Sequence, residues 1–335
     1  MKERLNNLVD TILVSPKAEL TANKALIDEL IDLLTQITNI ELYPNHFLDE
    51  HGTVTSQGKA VSMITAAQCA DEYMRTQVFL RGVYQAIKDQ LQTQDVIHLL
   101  YAGTGPFGLL VLPLLHRFSP DQIRVTVLDI HLESLQALNQ VAEALQVADF
   151  IEHQACTDIL QWSLPQEPYY DLIVSETMKA MLAQEPQVSI FRHLQPALKT
   201  TGEFIPQSID IELWLSCRPS LNQQDHFISK IFSLDRTTVA ELAVGASAES
   251  GISGVIPIAD YPDVYSDTVF KTVIQVYQHE CLAEKQCSLT LPQMLIDSVP
   301  AKNSEIHFSY QICDQPGFHF QIEKASGWFN VAFRK

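Results

Sequence analysis

Four short apolar runs, VIHLLY (96 to 101), VTVLD (125 to 129), DFIEH (149 to 153) and DLIVSE (171 to 176), are separated by stretches with helical spacing. Runs this short, bounded by turn and charged residues, suit strands buried on both faces. Strands that alternate with helices pair in parallel, because each crossover helix covers one face of the sheet. This rhythm constrains the chain more than any other feature and predicts an α/β, doubly wound, Rossmann-like fold. HLESLQALNQVAEALQ is the helix after the second strand. The helical segment after the first strand is kinked or delayed by Pro113, which has no N–H to give to a helix.

The flanks read differently. Residues 1 to about 40 carry helical spacing (Leu5, Leu8, Val9 and Ile12, then Leu26, Ile27, Leu30, Ile31 and Leu34), with Ser15-Pro16 between the two pieces. Residues 43 to 60 read as a loop, and a helix is expected from about 62 to 91. After Gly202 the segments IDIELWLSC, TVFKTVIQVY, SEIHFSYQI, FHFQIEK and GWFNVAF alternate with period two, which predicts an antiparallel β-barrel or sandwich. ELAVGASAESGISG (241 to 254) is the most loop-like stretch and is expected to be mobile. The expected division is an N-terminal helical segment (1 to 60), a Rossmann-like domain (61 to 204) and a C-terminal β-domain (205 to 335).

Composition narrows the function. With 46% hydrophobic and 19% charged residues among 335, there is ample core. A formal net charge of -18 argues against a nucleic-acid surface and suits a cationic substrate. The longest apolar region, 96 to 118, is interrupted by His98, three glycines, two prolines, His116 and Arg117, so no membrane span is expected. MKERLNNLVD lacks the apolar core of a secretory signal, and a cytoplasmic protein is expected. The six cysteines form no CxxC pair and the eleven histidines no ligand spacing. Free, mostly buried thiols and no metal are expected.

Three features carry chemistry. Gly103-Thr104-Gly105-Pro106-Phe107-Gly108 has GxGxxG spacing directly after the first strand. Glycines there let the backbone approach a bound group and open a helix whose N-terminus favours negative charge. Asp129 ends the second strand, where a carboxylate can accept both hydroxyls of a ribose lying across the strand tips. The third is VSETMKAMLAQE (174 to 185), in which Glu176 leaves the fourth strand and Glu185 follows nine positions later. On one straight helix the two acids would lie on opposite faces, about 13.5 Å apart along the axis. They converge only if the segment bends back on itself, as a hairpin around a cation would.

SETMKAMLAQE resembles the double-glutamate hairpin of the protein arginine methyltransferases, matching at Ser175, Glu176, Met178 and Glu185. Other segments are similar in the same order. DEYMRTQVF (71 to 79) looks like the helix before the sheet, in which the match Arg75 would pair with the cofactor's methionine carboxylate. AGTGPFG looks like the cofactor loop, and TTGEFIPQSIDIEL (200 to 213) like the crossing into a β-barrel. The resemblance implies S-adenosyl-L-methionine as cofactor, held by Arg75, Gly103, Thr104, Gly105, Asp129 and the Thr157-Asp158 region near the adenine. It also implies Glu176 and Glu185 as catalytic and substrate-binding residues with Met178 beside them, arginine as substrate, and a homodimer. Leu99 and Tyr101 depart from the family's acid and first glycine ahead of the loop, and the His-Trp pair that borders the family's substrate pocket does not occur. That absence favours free arginine or a small guanidino compound over a protein, as in bacterial relatives that make natural-product building blocks. Methyl transfer to another amine or hydroxyl, and a non-catalytic cofactor-binding scaffold, stay open.

Overall fold

The structure is a computed structural model that describes residues 1–44, 52–217, 224–244, 252–324 and 327–332. Helices α1 (Lys2–Val14) and α2 (Leu20–Thr38) come first. They bury Leu5, Leu8, Val9 and Ile12 on one and Ile27, Leu30, Ile31 and Leu34 on the other, the apolar stripes of the sequence. A small hairpin, β1 (Thr53–Thr55) with β2 (Gly58–Ala60), stands where a loop is expected. Residues 45–51 of that expected loop lie outside the described residues.

The helix expected over 62 to 91 is broken. Helix α3 (Met63–Gln68) starts at Ser62, whose side chain accepts the Thr65 N–H, and a single 3₁₀ turn follows at Cys69–Asp71. Glu72 leaves helical geometry (φ -76°, ψ 82°) before α4 (Tyr73–Gln90) begins. The break frees the Glu72 side chain from the helix surface for use in the site.

Strands β3 (Ile97–Ala102) and β4 (Ile123–Asp129), helix α5 (Leu132–Leu145), strands β5 (Ile151–Cys156) and β6 (Tyr170–Ser175), helix α6 (Gln187–Leu194) and strand β7 (Leu198–Ile205) build a five-stranded parallel sheet. The third strand starts at Ile151, two residues later than the sequence suggests. The sheet order is β5-β4-β3-β6-β7, so the chain works outward from β3 in one direction and then returns to its other side. The reversal lies between β3 and β6, and doubly wound sheets bind ligands in the crevice at the carboxyl ends of such a strand pair. Here Ala102 and Ser175 are register partners, so Gly103 and Glu176 leave the sheet side by side.

The glycine loop does not open an α-helix, which corrects the expectation of an anion site at a helix N-terminus. Gly103, Gly105 and Gly108 hold φ of 76°, 59° and 53°, left-handed geometry that winds the chain through turns. Regular structure resumes only in a 3₁₀ turn at Leu112–Arg117, with Pro113 in its first turn where no N–H is needed.

The remainder is antiparallel: β8 (Ser208–Ser216), β9 (His226–Asp235), helix α7 (Arg236–Val244), β10 (Ser253–Pro257), β11 (Asp267–Tyr277), β12 (Glu280–Leu282), β13 (Gln293–Ile296), β14 (Glu305–Gln311), β15 (Gly317–Lys324) and β16 (Gly327–Ala332). One sheet runs β12-β11-β8-β9 with β13 also on β11, and the other runs β10-β14-β15-β16. Period-two alternation buries Ile209, Ile211, Leu213 and Leu215 of β8. The two sheets close over stacked Phe270 and Phe320, with ring centroids 4.6 Å apart. The expected mobile stretch (241 to 254) is helical as far as Val244 and extended from Ser253, while residues 245–251 lie outside the described residues. All six cysteines are free, but only Cys217 and Cys287 are buried, since the others sit at sheet edges and turns. Among the described residues no helix is long and apolar enough to cross a membrane, and no group of histidines, cysteines and acids is placed to hold a metal.

Candidate active site

Two adjoining cavities, of about 270 Å³ and about 100 Å³, lie against the ends of β3, β4 and β6. Val61, Ala66, Gly103, Gly105, Glu176 and Glu185 line both, so the two acids of VSETMKAMLAQE share one space. Met178 joins them in the larger cavity and is buried.

The acids converge because the segment turns back, which a helix would not allow. Only one 3₁₀ turn forms (Ala180–Leu182), and Met181, Leu182 and Gln184 adopt φ of 62°, 53° and 67°. Non-glycine residues in that region cost about 1–3 kcal/mol each unless their surroundings impose the geometry. Those surroundings come from three directions. Buried Gln187 on α6 accepts the Thr177 N–H at 2.8 Å and its hydroxyl at 3.1 Å, and donates to the Ser175 carbonyl. From the antiparallel sheets, Thr272 Oγ1 accepts the Met181 N–H at 3.1 Å, Tyr310 donates to the Leu182 carbonyl at 2.7 Å, and the Pro316 carbonyl accepts the Gln184 N–H at 2.8 Å. The β1–β2 hairpin adds the Lys59 N–H, which donates to the Gln184 carbonyl at 2.8 Å.

Arg75 on α4 is buried and doubly paired. One guanidinium nitrogen donates to Glu176 Oε2 and the other to Glu72 Oε2 at 2.8 Å. Glu72 in turn accepts from the backbone N–H and the hydroxyl of Ser288, so the antiparallel part reaches the site through a carboxylate. Burial alone would lower the Arg75 pKa, yet Glu176 beside it holds it well above the ordinary value, and the guanidinium stays charged. Burial pushes the Glu176 carboxyl up, and Arg75 reverses this only in part. Glu176 Oε1 is buried with no hydrogen-bond partner among the described residues. A buried carboxylate oxygen without a donor is costly, and a ligand N–H would satisfy it.

The glycine loop and Asp129 build the other side of the site. Asp129 Oδ2 accepts the Gly105 N–H at 2.9 Å and the Thr104 hydroxyl at 3.3 Å, and Oδ1 accepts the His131 N–H at 2.9 Å. Of about four acceptor positions on a carboxylate, one then remains. Asp129 thus has room for one ribose hydroxyl in this arrangement, where the sequence suggested both. Burial raises its pKa, opposed by the His131 and Gly105 N–H groups. Asp158 lines the smaller cavity with Oδ1 taken by the Leu160 N–H. Thr157 donates its N–H to the Asp129 carbonyl and lines neither cavity. An added Cβ on Gly103 would meet Thr177 Cγ2 at 2.4 Å, so the glycine lets loop and acid hairpin approach.

Glu72, Gln187 and Ser288 escape the sequence reading. Glu72 had a signal, standing three residues before Arg75. Gln187 and Ser288 had none, since their partners arrive only through tertiary contact. Tyr101, noted as a departure, is a buried wall of the larger cavity. Its hydroxyl accepts the Leu110 N–H at 3.4 Å, and burial pushes its phenol pKa up.

Neither a protein-family model nor a curated protein matches this sequence. Solved structures do. Protein arginine methyltransferase 10 of Arabidopsis thaliana, described in a uniquely open conformation, is similar at a TM-score of 0.51 and 13% identity, over 82% of this chain and 99% of that one. The Trypanosoma brucei PRMT1 enzyme–prozyme heterotetrameric complex with AdoHcy is similar at 0.51 and 12% identity, over 79% of this chain and 96% of that one. Identity this low speaks for backbone architecture alone. The chain has the fold of the protein arginine methyltransferases, a parallel sheet followed by closed antiparallel sheets.

Proposed function

We propose that this chain is an S-adenosyl-L-methionine-dependent N-methyltransferase acting on the guanidine of free L-arginine or a small guanidino compound. The observation that carries the reading is the shared cavity of Glu176 and Glu185, in which Glu176 Oε1 lacks a donor among the described residues. The residues present suit the cofactor. Gly103 and Gly105 open the backbone, Asp129 keeps an acceptor position, Asp158 borders the smaller cavity, and Arg75 lines the larger one. The AdoHcy in the trypanosomal complex supports the same choice. When bound, the cofactor supplies a methyl group on a sulfonium.

A guanidinium is protonated at any biological pH, and its nitrogens are poor nucleophiles. Glu176 Oε1 and the Glu185 carboxylate accept its N–H groups in charge-assisted bonds and fix its plane. Charge is drawn toward the clamped nitrogens, leaving electron density on the one that is methylated. The proton shed by that nitrogen passes to Glu185, which lines both cavities. Glu176 and Glu185 share the larger cavity with Arg75 and Lys179, and Glu72 adds a third acid on Arg75, so acids outnumber bases by one around the bound cation. We further propose division at about residues 60 and 204, and a homodimer, checked by light scattering.

The test is mass spectrometry of the products formed from S-adenosyl-L-methionine and L-arginine. A methyl increment on the guanidine is expected, reduced about 10²–10³-fold in Glu176→Gln, the scale of losing one preorganised electrostatic group. Cofactor binding without product from arginine, other amines or hydroxyls would favour a non-catalytic scaffold, the reading that Tyr101 in the cavity wall supports.

A further inference from the structure

The larger cavity is lined by four charged side chains, Glu176, Glu185, Arg75 and Lys179. Arg75 is spent on Glu72 and Glu176. Lys179 is exposed, and its Nζ donates only to the neutral Gln184 Oε1, at 2.9 Å, among the described residues. A chain with 40 acids and 22 bases thus leaves one ammonium without a carboxylate among the described residues at the edge of the cavity that holds the acid pair. Lys179 lies between Met178 and the turn that brings Glu185 back, so its backbone is set by the same contacts that set the acid pair.

We propose that Lys179 is the specificity-determining residue that receives the α-carboxylate of a free guanidino amino acid while the acid pair holds its guanidine. This rests on the guanidine reading above and sharpens it, because the α-carboxylate is the group that a peptide-bound arginine lacks. An ammonium is a compact charge with three donors on a flexible stem and can keep Gln184 while accepting a carboxylate. The site is then a dipolar slot, negative inside and positive at the rim, matched to a substrate that is cationic at one end and anionic at the other.

The experiment compares L-arginine with L-argininamide, which keeps the guanidine and α-amine and lacks the carboxylate. Equilibrium binding to the full-length protein is measured by calorimetry with S-adenosylhomocysteine present, alongside methyl transfer to both compounds. In Lys179→Met the Kd for L-arginine is expected to rise about ten- to a hundredfold, the scale of a hydrogen bond between charged groups. The arginine-to-argininamide preference should collapse by the same factor, with the change in KM rather than kcat, and Lys179→Arg should restore most of it. An unchanged preference in Lys179→Met overturns the proposal, as does weakened S-adenosylhomocysteine binding, which would assign Lys179 to the cofactor. If the wild-type protein binds and methylates neither compound, the guanidine reading itself falls and takes this proposal with it. If it methylates both equally well, only the role of Lys179 falls.

Discussion

At the scale of single residues, Glu176 concentrates the proposed chemistry. One of its oxygens is tied to Arg75, the other has no donor among the described residues, and burial holds its carboxyl above the ordinary range. The sign for activity follows: the clamp needs the ionised form, and a raised pKa means that protonation sets in before an exposed glutamate would titrate. The acid limb of kcat/KM, which reports the free enzyme, is expected above the ordinary glutamate value of about 4.3. A pH–rate profile that stays flat down to that value would reject Glu176 as the titrating group. Glu176, Glu185 and Asp129 were legible as residues because each ends a strand or follows one at a readable spacing. What was not legible is how much of each is already used: Asp129 staples Thr104 and Gly105 of the glycine loop, and Arg75 serves Glu72 as well as Glu176.

At the scale of elements, the acid hairpin belongs to the parallel sheet by sequence and to the antiparallel sheets by support. Its left-handed residues are held by Thr272, Tyr310 and Pro316, more than 90 positions away. Tyr310→Phe keeps the ring that packs on Phe318 and removes the O–H that serves the Leu182 carbonyl. It should cost about 1–3 kcal/mol, the scale for leaving a buried acceptor unpaired, read as a lower midpoint in urea unfolding. Methyl transfer should fall with it as Glu185 loses its position, and a variant with unchanged midpoint and rate would show that the hairpin holds its shape alone. Strands β7 and β9 escaped the sequence reading. Four strands of the parallel sheet and five of the antiparallel sheets were legible to within about three residues, because apolar runs and period two survive in one dimension. The break at Glu72 and the missing helix after the glycine loop were not. Both depend on side chains and φ values that satisfy distant partners rather than local propensity.

At the scale of the whole molecule, 40 acidic residues against 22 basic ones put a negative field around the cavity that holds the acid pair. Association of a cationic guanidine is expected to weaken with salt. Between about 0.01 and about 1 M ionic strength the Debye length shrinks from about 30 to about 3 Å. Over that span kcat/KM should drop several-fold with kcat little changed, measured by stopped initial rates, and a salt-independent kcat/KM would rule out steering by the global charge. The amino-acid sequence by itself determined the order of strands and helices, the shift from parallel to antiparallel texture after Gly202, the glycine loop and the spacing of the two glutamates. Each of these is a local pattern of burial or backbone freedom. Only the tertiary structure decided that Ala102 and Ser175 lie side by side, so that the loop and the acids face one cavity. It alone decided that Glu72 ties Arg75 to Ser288, and that a lysine stands at the rim without a carboxylate partner among the described residues. Those facts are distances between residues far apart in the chain, which packing of the sheets creates and no local pattern encodes.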